Sequence, residues 1–248
     1  MKRSLKNLKE YKVETTDGQH GKVKDFLFDE ESWTIRYLEA DFGNLFKDKR
    51  VLIPGTFLKK PDWDGKNFHI NLRKSDIESC PDIDQKMPVS KKYEEELSKH
   101  YGISNYWPYA YTGTAAISMF YPPRPMEPPA KIVSENDLDT ELRSFDEVRG
   151  YHLKAIDGKF GHIEDLLADD EDWQVVYAVI DTGNFKPWDR EVLLSINWMD
   201  KISYVDREIS INLNSETIKD APAYEGISSV NTDFENILYD FYSNSLKK

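Results

Sequence analysis

The first third of the chain occurs twice. Residues 3–50 set against 143–190 at a constant offset of 140 are identical at sixteen of forty-eight positions without a gap. Any fold must therefore be built as one small unit and its copy. The identities fall on residues that rarely coincide: Asp17-Gly18 with Asp157-Gly158, Gly21 with Gly161, Asp25 with Asp165, Trp33 with Trp173, and Tyr37 with Tyr177. Asp41-x-Gly43-Asn44 returns as Asp181-x-Gly183-Asn184. One inserted residue near Arg190 moves the offset to 141, after which Val51-Leu52-Ile53 meets Val192-Leu193-Leu194 and Ile70-Asn71-Leu72 meets Ile211-Asn212-Leu213. So long a period rules out the short solenoid repeats and predicts two domains of about 80 residues. Domains of that size bury only about two-thirds of their chain surface, so the copies are expected to pack together. The predicted organisation is copy one over 1–81, a connection over 82–142, copy two over 143–222 and a tail over 223–248.

Charge narrows the function classes. The net charge is −12, but residues 3–80 carry 15 basic against 14 acidic side chains while 143–221 carry 9 against 17. The second copy is the acidic one. Without a basic cluster the chain is not expected to bind nucleic acid, which depends on neutralising phosphates. The single cysteine, Cys80, excludes an internal disulfide framework and fits a reducing compartment. The positive start Met1-Lys2-Arg3 has no apolar run behind it, and no stretch is long enough to span a membrane. A cytoplasmic location is the expectation.

Within one copy, Asp17-Gly18 lies between strand-forming stretches at 11–15 and 23–28, and Asp-Gly marks a tight turn because glycine accepts positive φ. Gly21 and Gly161 predict a bulge or a close backbone approach. An acidic turn leads into a strand over 33–41, matched by 173–181, whose Val175 to Ile180 run is apolar on both faces and so belongs in the sheet interior. Further strands are expected at 51–54, 57–58 and 68–72, with a helical turn at 75–79. The prediction is all-β: two small closed barrels of about six strands each, without free edges.

A Gly three residues past an Asp-Gly turn, a strand ending in Asp-x-Gly and a short Val-Leu-Ile/Leu strand together resemble the PRC-barrel domain. That domain is shared by the cytoplasmic part of the photosynthetic reaction-centre H subunit and the C-terminal part of a ribosome maturation factor. The resemblance covers 3–81 and 143–222. It implies a barrel that mediates protein contacts and brings no catalytic signature. The chain departs from both relatives, since it has no membrane-spanning helix ahead of the barrel and a second PRC-like copy where the maturation factor has a different domain.

The connection is not repeated. Residues 91–101 read as a helix with Ser90 as N-cap and Gly102 as its stop. An aromatic cluster of Tyr106, Trp107, Tyr109 and Tyr111 follows, then a proline run over 121–129. The cluster either packs on a barrel or forms a partner-binding patch, because Tyr and Trp dominate interface anchors; Trp188 is a further candidate contact. The proline run is either an extended spacer or a recognition motif. Residues 233–246 form an amphipathic helix with Phe234, Ile237, Leu238, Phe241 and Tyr242 on one face, docking on a barrel or exchanged between chains of a homo-oligomer.

Chemistry finds little purchase. The repeated carboxylates Asp25/Asp165, Asp29/Asp169 and Asp41/Asp181 sit at strand ends and turns, where carboxylates bond to backbone N–H groups. The five histidines do not pair between copies, and no zinc spacing, phosphate loop or nucleophile elbow is present. The run Asp169-Asp170-Glu171-Asp172 could attract a cation but lacks the form of a calcium loop. No catalytic residue, metal site or cofactor is expected. The leading expectation is a non-enzymatic scaffold contacting a protein partner through the groove between the barrels or the aromatic connection. The alternatives are an electron-transfer accessory that touches a membrane complex peripherally, and an enzyme using Asp41 and Asp181 in an inter-barrel cleft.

Overall fold

The computed structural model describes residues 1–43, 49–83, 89–106, 142–183 and 190–245. Residues 1–83 and 141–248 form one compact unit containing both repeats, and 84–140 form a second. In the second unit a helix, Lys91–Tyr101, starts at Ser90, whose hydroxyl accepts from the Tyr93 N–H, and stops at Gly102 in the left-handed region. Both ends are where the sequence places them.

The first repeat runs through β1 (Lys2–Ser4), α1 (Leu5–Leu8), β2 (Lys12–Glu14), β3 (His20–Asp29), β4 (Ile35–Asp41), β5 (Arg50–Pro54), a 3-10 turn (Gly55–Phe57), β6 (Asn67–His69) and α2 (Lys74–Glu78). After the connection helix, α3 (Lys91–Tyr101), the second repeats the series as β7 (Leu142–Ser144), α4 (Phe145–Val148), β8 (His152–Ala155), β9 (Gly158–Asp169), β10 (Val175–Asp181), β11 (Glu191–Ser195), a 3-10 turn (Ile196–Trp198), β12 (Met199–Ser203), β13 (Glu208–Ile211) and α5 (Ser215–Lys219). A last helix, α6 (Thr232–Ser245), follows.

Strands dominate, as expected, and the pairing orders are β5-β4-β3-β2-β6 and β11-β10-β9-β8-β13-β12. Neither ladder closes into a continuous barrel. Among the described residues the outermost strands of each order are not paired with one another, and the chain leaves β5 and β11 through 3-10 turns. The segment expected as a strand at Phe57-Leu58 meets the β6 region through isolated bridges, Leu58 with Ile70 and Asp62 with Asn67, and through the Asn71 N–H, which donates to the Phe57 carbonyl at 2.8 Å. The exposed edge of β11 is partly covered by the Val192–Ala223 bridge and by the Tyr224 N–H, which donates to the Glu191 carbonyl at 2.8 Å.

The remaining strand of each sheet comes from the other repeat. β1 pairs with β9 of the second repeat, Ser4 opposite Leu167, and β7 pairs with β3 of the first, Ser144 opposite Leu27. Two N-terminal arms are thus exchanged within one chain. β3 and β9 are long enough to hold the first hairpin at one end, through β2 or β8, and the foreign arm at the other. Each arm carries its short helix across: α1 packs on β9 and α4 on β3. Leu5, Leu8, Phe145 and Val148 are all buried. The contact is self-complementary in the manner of a twofold dimer interface.

Glycine positions explain part of the repeat. A Cβ on Gly21 would lie 2.9 Å from the Asp41 carbonyl oxygen, and one on Gly161, at φ +48°, 2.5 Å from that of Asp181. The predicted close approach is real in both copies. Gly161→Ala should therefore lose about 2–3 kcal/mol of stability, measured by urea denaturation. Gly55→Ala, whose Cβ would meet nothing closer than 3.7 Å, should stay within about 0.5 kcal/mol; equal losses would show that the approach is not the constraint.

Candidate functional site

The functional geometry concentrates where the repeats meet. Asp25 projects from β3 and Asp165 from β9, each toward the arm of the other repeat. The Ser144 hydroxyl donates to Asp25, as Ser4 does to Asp165. Asp25 Oδ1 also accepts from the backbone N–H groups of Phe26 at 2.8 Å and Asp146 at 3.1 Å, while Asp165 Oδ1 accepts from Leu166 at 2.8 Å and Lys6 at 3.0 Å. The same serines cap their helices: Ser4 accepts from Asn7 N–H and Ser144 from Glu147 N–H, both at 3.0 Å. One serine and one aspartate thus clasp each arm. Burial raises the pKa of Asp25 to about 7, against hydrogen bonding from Ser144. Burial raises Asp165 in the same sense.

The tryptophans form the second element of the seam. Trp33 and Trp173 hold φ of 55° and 57°, a left-handed conformation costing a non-glycine residue about 1–2 kcal/mol. That geometry lets the Trp33 carbonyl accept from Val175 N–H at 2.8 Å and the Trp173 carbonyl from Ile35 N–H at 2.9 Å. Their side chains differ in setting. Trp33 stacks on Phe28 of its own repeat, 5.1 Å between centroids and 13° between planes, whereas Trp173 leans on Phe68 of the other repeat at 5.7 Å.

Two related clefts flank these contacts. The larger, about 710 Å³, lies between Leu58 to Pro61 and Trp63 of the first repeat and Asp170, Glu171 and Trp173 of the second, with Arg3 between them. The smaller, about 330 Å³, lies between Glu30, Glu31 and Trp33 of the first repeat and Met199 to Ile202 of the second. An arginine from each arm braces its cleft: Arg3 Nε donates to Asp170 at 2.8 Å and Arg143 Nε to Glu30 at 2.7 Å.

The repeated carboxylates all serve the fold. Asp41 and Asp181 accept from the N–H of Gly43 and Gly183 at 2.8 Å, which accounts for the Asp-x-Gly signature. Asp29 accepts from Ser32 N–H at 2.7 Å, and Asp169 binds Lys2 at 2.8 Å. Asp170 is held by Arg3, so two carboxylates of the acidic run already have cationic partners within the chain. Asp17 and Asp157 do more than turn the chain: they accept from the N–H groups of Lys74 at 3.0 Å and Ser215 at 2.8 Å, capping α2 and α5. Among the described residues no group of three or more His, Cys, Asp or Glu side chains is arranged to hold a metal ion, and no helix is long and apolar enough to cross a membrane.

Of the contact residues proposed from sequence, Tyr106 is half-buried at the end of the described part of the connection. Trp107, Tyr109, Tyr111 and Trp188 lie outside the described residues, as does the proline run. On the C-terminal helix, Leu238 and Tyr242 are buried and the Tyr242 hydroxyl donates to the Leu193 carbonyl at 2.9 Å, so α6 docks on the second repeat. Ile237, assigned to the same apolar face, is instead exposed, because the docking face is narrower than the apolar arc. Sequence reasoning missed Ser4, Ser144, Arg3 and Trp63. The matched Arg-Ser pairs at 3–4 and 143–144 were the available signal.

No curated protein matches the chain. Residues 2–77 match the PRC-barrel domain family, a stretch that includes the arm β1 and ends within α2. The N-terminal repeat of this chain is thus similar to the PRC-barrel domain over nearly its whole length.

Proposed function

We propose that the chain is a non-enzymatic protein-binding module made of two PRC-type domains, 1–81 and 143–222, locked by exchanged arms and working in the cytoplasm. The PRC-barrel assignment of the first repeat points to an interaction or accessory role. The observation that carries the reading is the fate of the repeated carboxylates: each pair is engaged by backbone, serine or lysine groups that hold the architecture. None is left as an acid/base pair facing a cleft. The seam, with its clefts and tryptophans, and the aromatic connection are the contact surfaces of this reading.

The test is affinity capture from an extract of the source cell, with bound proteins identified by mass spectrometry. A defined partner should be retained by the intact chain and reduced about tenfold or more when Tyr106, Trp107 and Tyr109 become Ala, the scale expected for loss of an aromatic anchor. An unchanged partner list would remove the connection from the contact surface. Capture of no specific partner at all would count against the module reading.

A further inference from the structure

The two clefts at the seam are products of one architecture, and the differences between them are therefore informative. By the repeat alignment Lys59 corresponds to Asp200, Lys60 to Lys201, Trp63 to Tyr204 and Trp173 to Trp33. The fold builds the smaller cleft with Asp200 in place of Lys59, with Trp33 only 6% exposed, and with no contribution from Tyr204. Neither Lys59 nor an indole at position 63 is needed to form such a seam.

In the larger cleft those surplus residues converge. Trp63 of the first repeat and Trp173 of the second, both half-buried, line the cleft. Trp63 is held by the Arg3 guanidinium 3.6 Å from its ring centroid and by the edge of Tyr11 at 6.3 Å. Lys59 and Lys60 are exposed at the rim, and neither ammonium forms an ion pair among the described residues. Across from them Asp170 is already neutralised by Arg3, leaving Glu171 as the uncompensated carboxylate of the lining. Lys59 and Lys60 thus offer two cationic contacts on one rim and Glu171 a carboxylate on the other, with Asp62 and Asp64 exposed beside Trp63.

We propose that this cleft docks an acidic, extended segment of a partner protein. An aromatic or proline side chain of that segment packs against the exposed parts of Trp63 and Trp173 beside Arg3, and its carboxylates meet Lys59 and Lys60. The inference rests on the protein-binding reading and names its site and ligand chemistry. An open cleft covers one side of its occupant, which suits a peptide that continues past it better than a small metabolite needing burial over most of its surface. Tryptophan anchors supply most of the affinity and rim lysines supply selection and encounter rate.

The experiment titrates the full chain with a blocked peptide alternating Glu and Pro around one Tyr, and with its Lys-for-Glu counterpart, reading the indole N–H resonances assigned through Trp63→Phe and Trp173→Phe. The acidic peptide should shift the Trp63 and Trp173 signals and leave Trp33 unmoved. Its affinity should fall about tenfold in K59E/K60E and weaken with added salt, while the variant keeps its native spectrum. Equal response to both peptides, no response, or response only to phosphatidylserine vesicles would overturn the assignment. Capture of cellular partners undiminished in K59E/K60E would also reject the cleft while leaving the module reading intact. Peptide binding at the indoles without any cellular partner would do the reverse.

Discussion

Deleting residues 2–8 is expected to unfold the second repeat, although the deleted residues belong to the first. β1 completes the edge of β9 from Ser4 opposite Leu167 to Lys2 opposite Asp169, and α1 lies on β9 with Leu5 and Leu8 at 0% and 2% exposure. Two leucines contribute about 1.5–3 kcal/mol each by burial alone. The deletion also strands the buried Asp165, which loses Ser4 and the Lys6 N–H. The sum approaches the roughly 5–15 kcal/mol that holds a whole domain together. Hydrogen exchange should show protection lost in β9 and β10 no later than in β3 and β4. A truncated chain with β9 fully protected would refute the arm exchange.

The second expected result concerns pH. Asp25 has its pKa raised by burial to about 7, from an ordinary 3.8. Between those values the folded chain binds a proton that the unfolded chain has released, so stability falls as pH rises through the window, at up to about 1.4 kcal/mol per pH unit, and levels off above it. Asp165, raised in the same sense, adds to the trend. Asp25→Asn mimics the protonated acid, since its carbonyl can still accept from Phe26 and Asp146 while its amide donates to Ser144. The variant should flatten the urea midpoint profile between about pH 5 and 8 and match or exceed the parent at the upper end. A flat parental profile with a strongly destabilised variant would mean that Asp25 is ionised and that its charge holds the arm.

Much of each repeat was legible because its punctuation is local. Asp-Gly turns, Asp-x-Gly strand ends and the Ser90 and Gly102 helix limits follow from interactions within a few residues. The character of β10 was legible from its apolar run. The arms were not: a three-residue strand and a four-residue helix have no periodicity to detect, and Ser4 finds its partner Asp165 at a separation of 161 residues. Closure of the ladder was expected because every strand edge needs cover. The borrowed arm instead covers the end of β3 or β9 in the middle of each sheet, an arrangement that pattern within one copy cannot display. The seam was legible only as a groove between copies. Which side chains meet there depends on the crossing of the arms, and so Arg3 and Trp63 went unnoticed.

The exchange also dictates an order of events during synthesis. When the ribosome has completed residues 1–83, the first repeat has its sheet but not Leu142 to Ser144, which cover the end of β3. Its own arm, meanwhile, has no β9 to join. Neither half can reach its final state until the second hairpin has been made, so the nascent first repeat must wait with an uncovered edge and two homeless leucines. Such intermediates are where chains aggregate or recruit chaperones, and the long-range closure that ends the wait makes for slow folding. Completion of both repeats is thus a single event that waits for the second to be made, in contrast to the bead-by-bead folding usual for tandem domains.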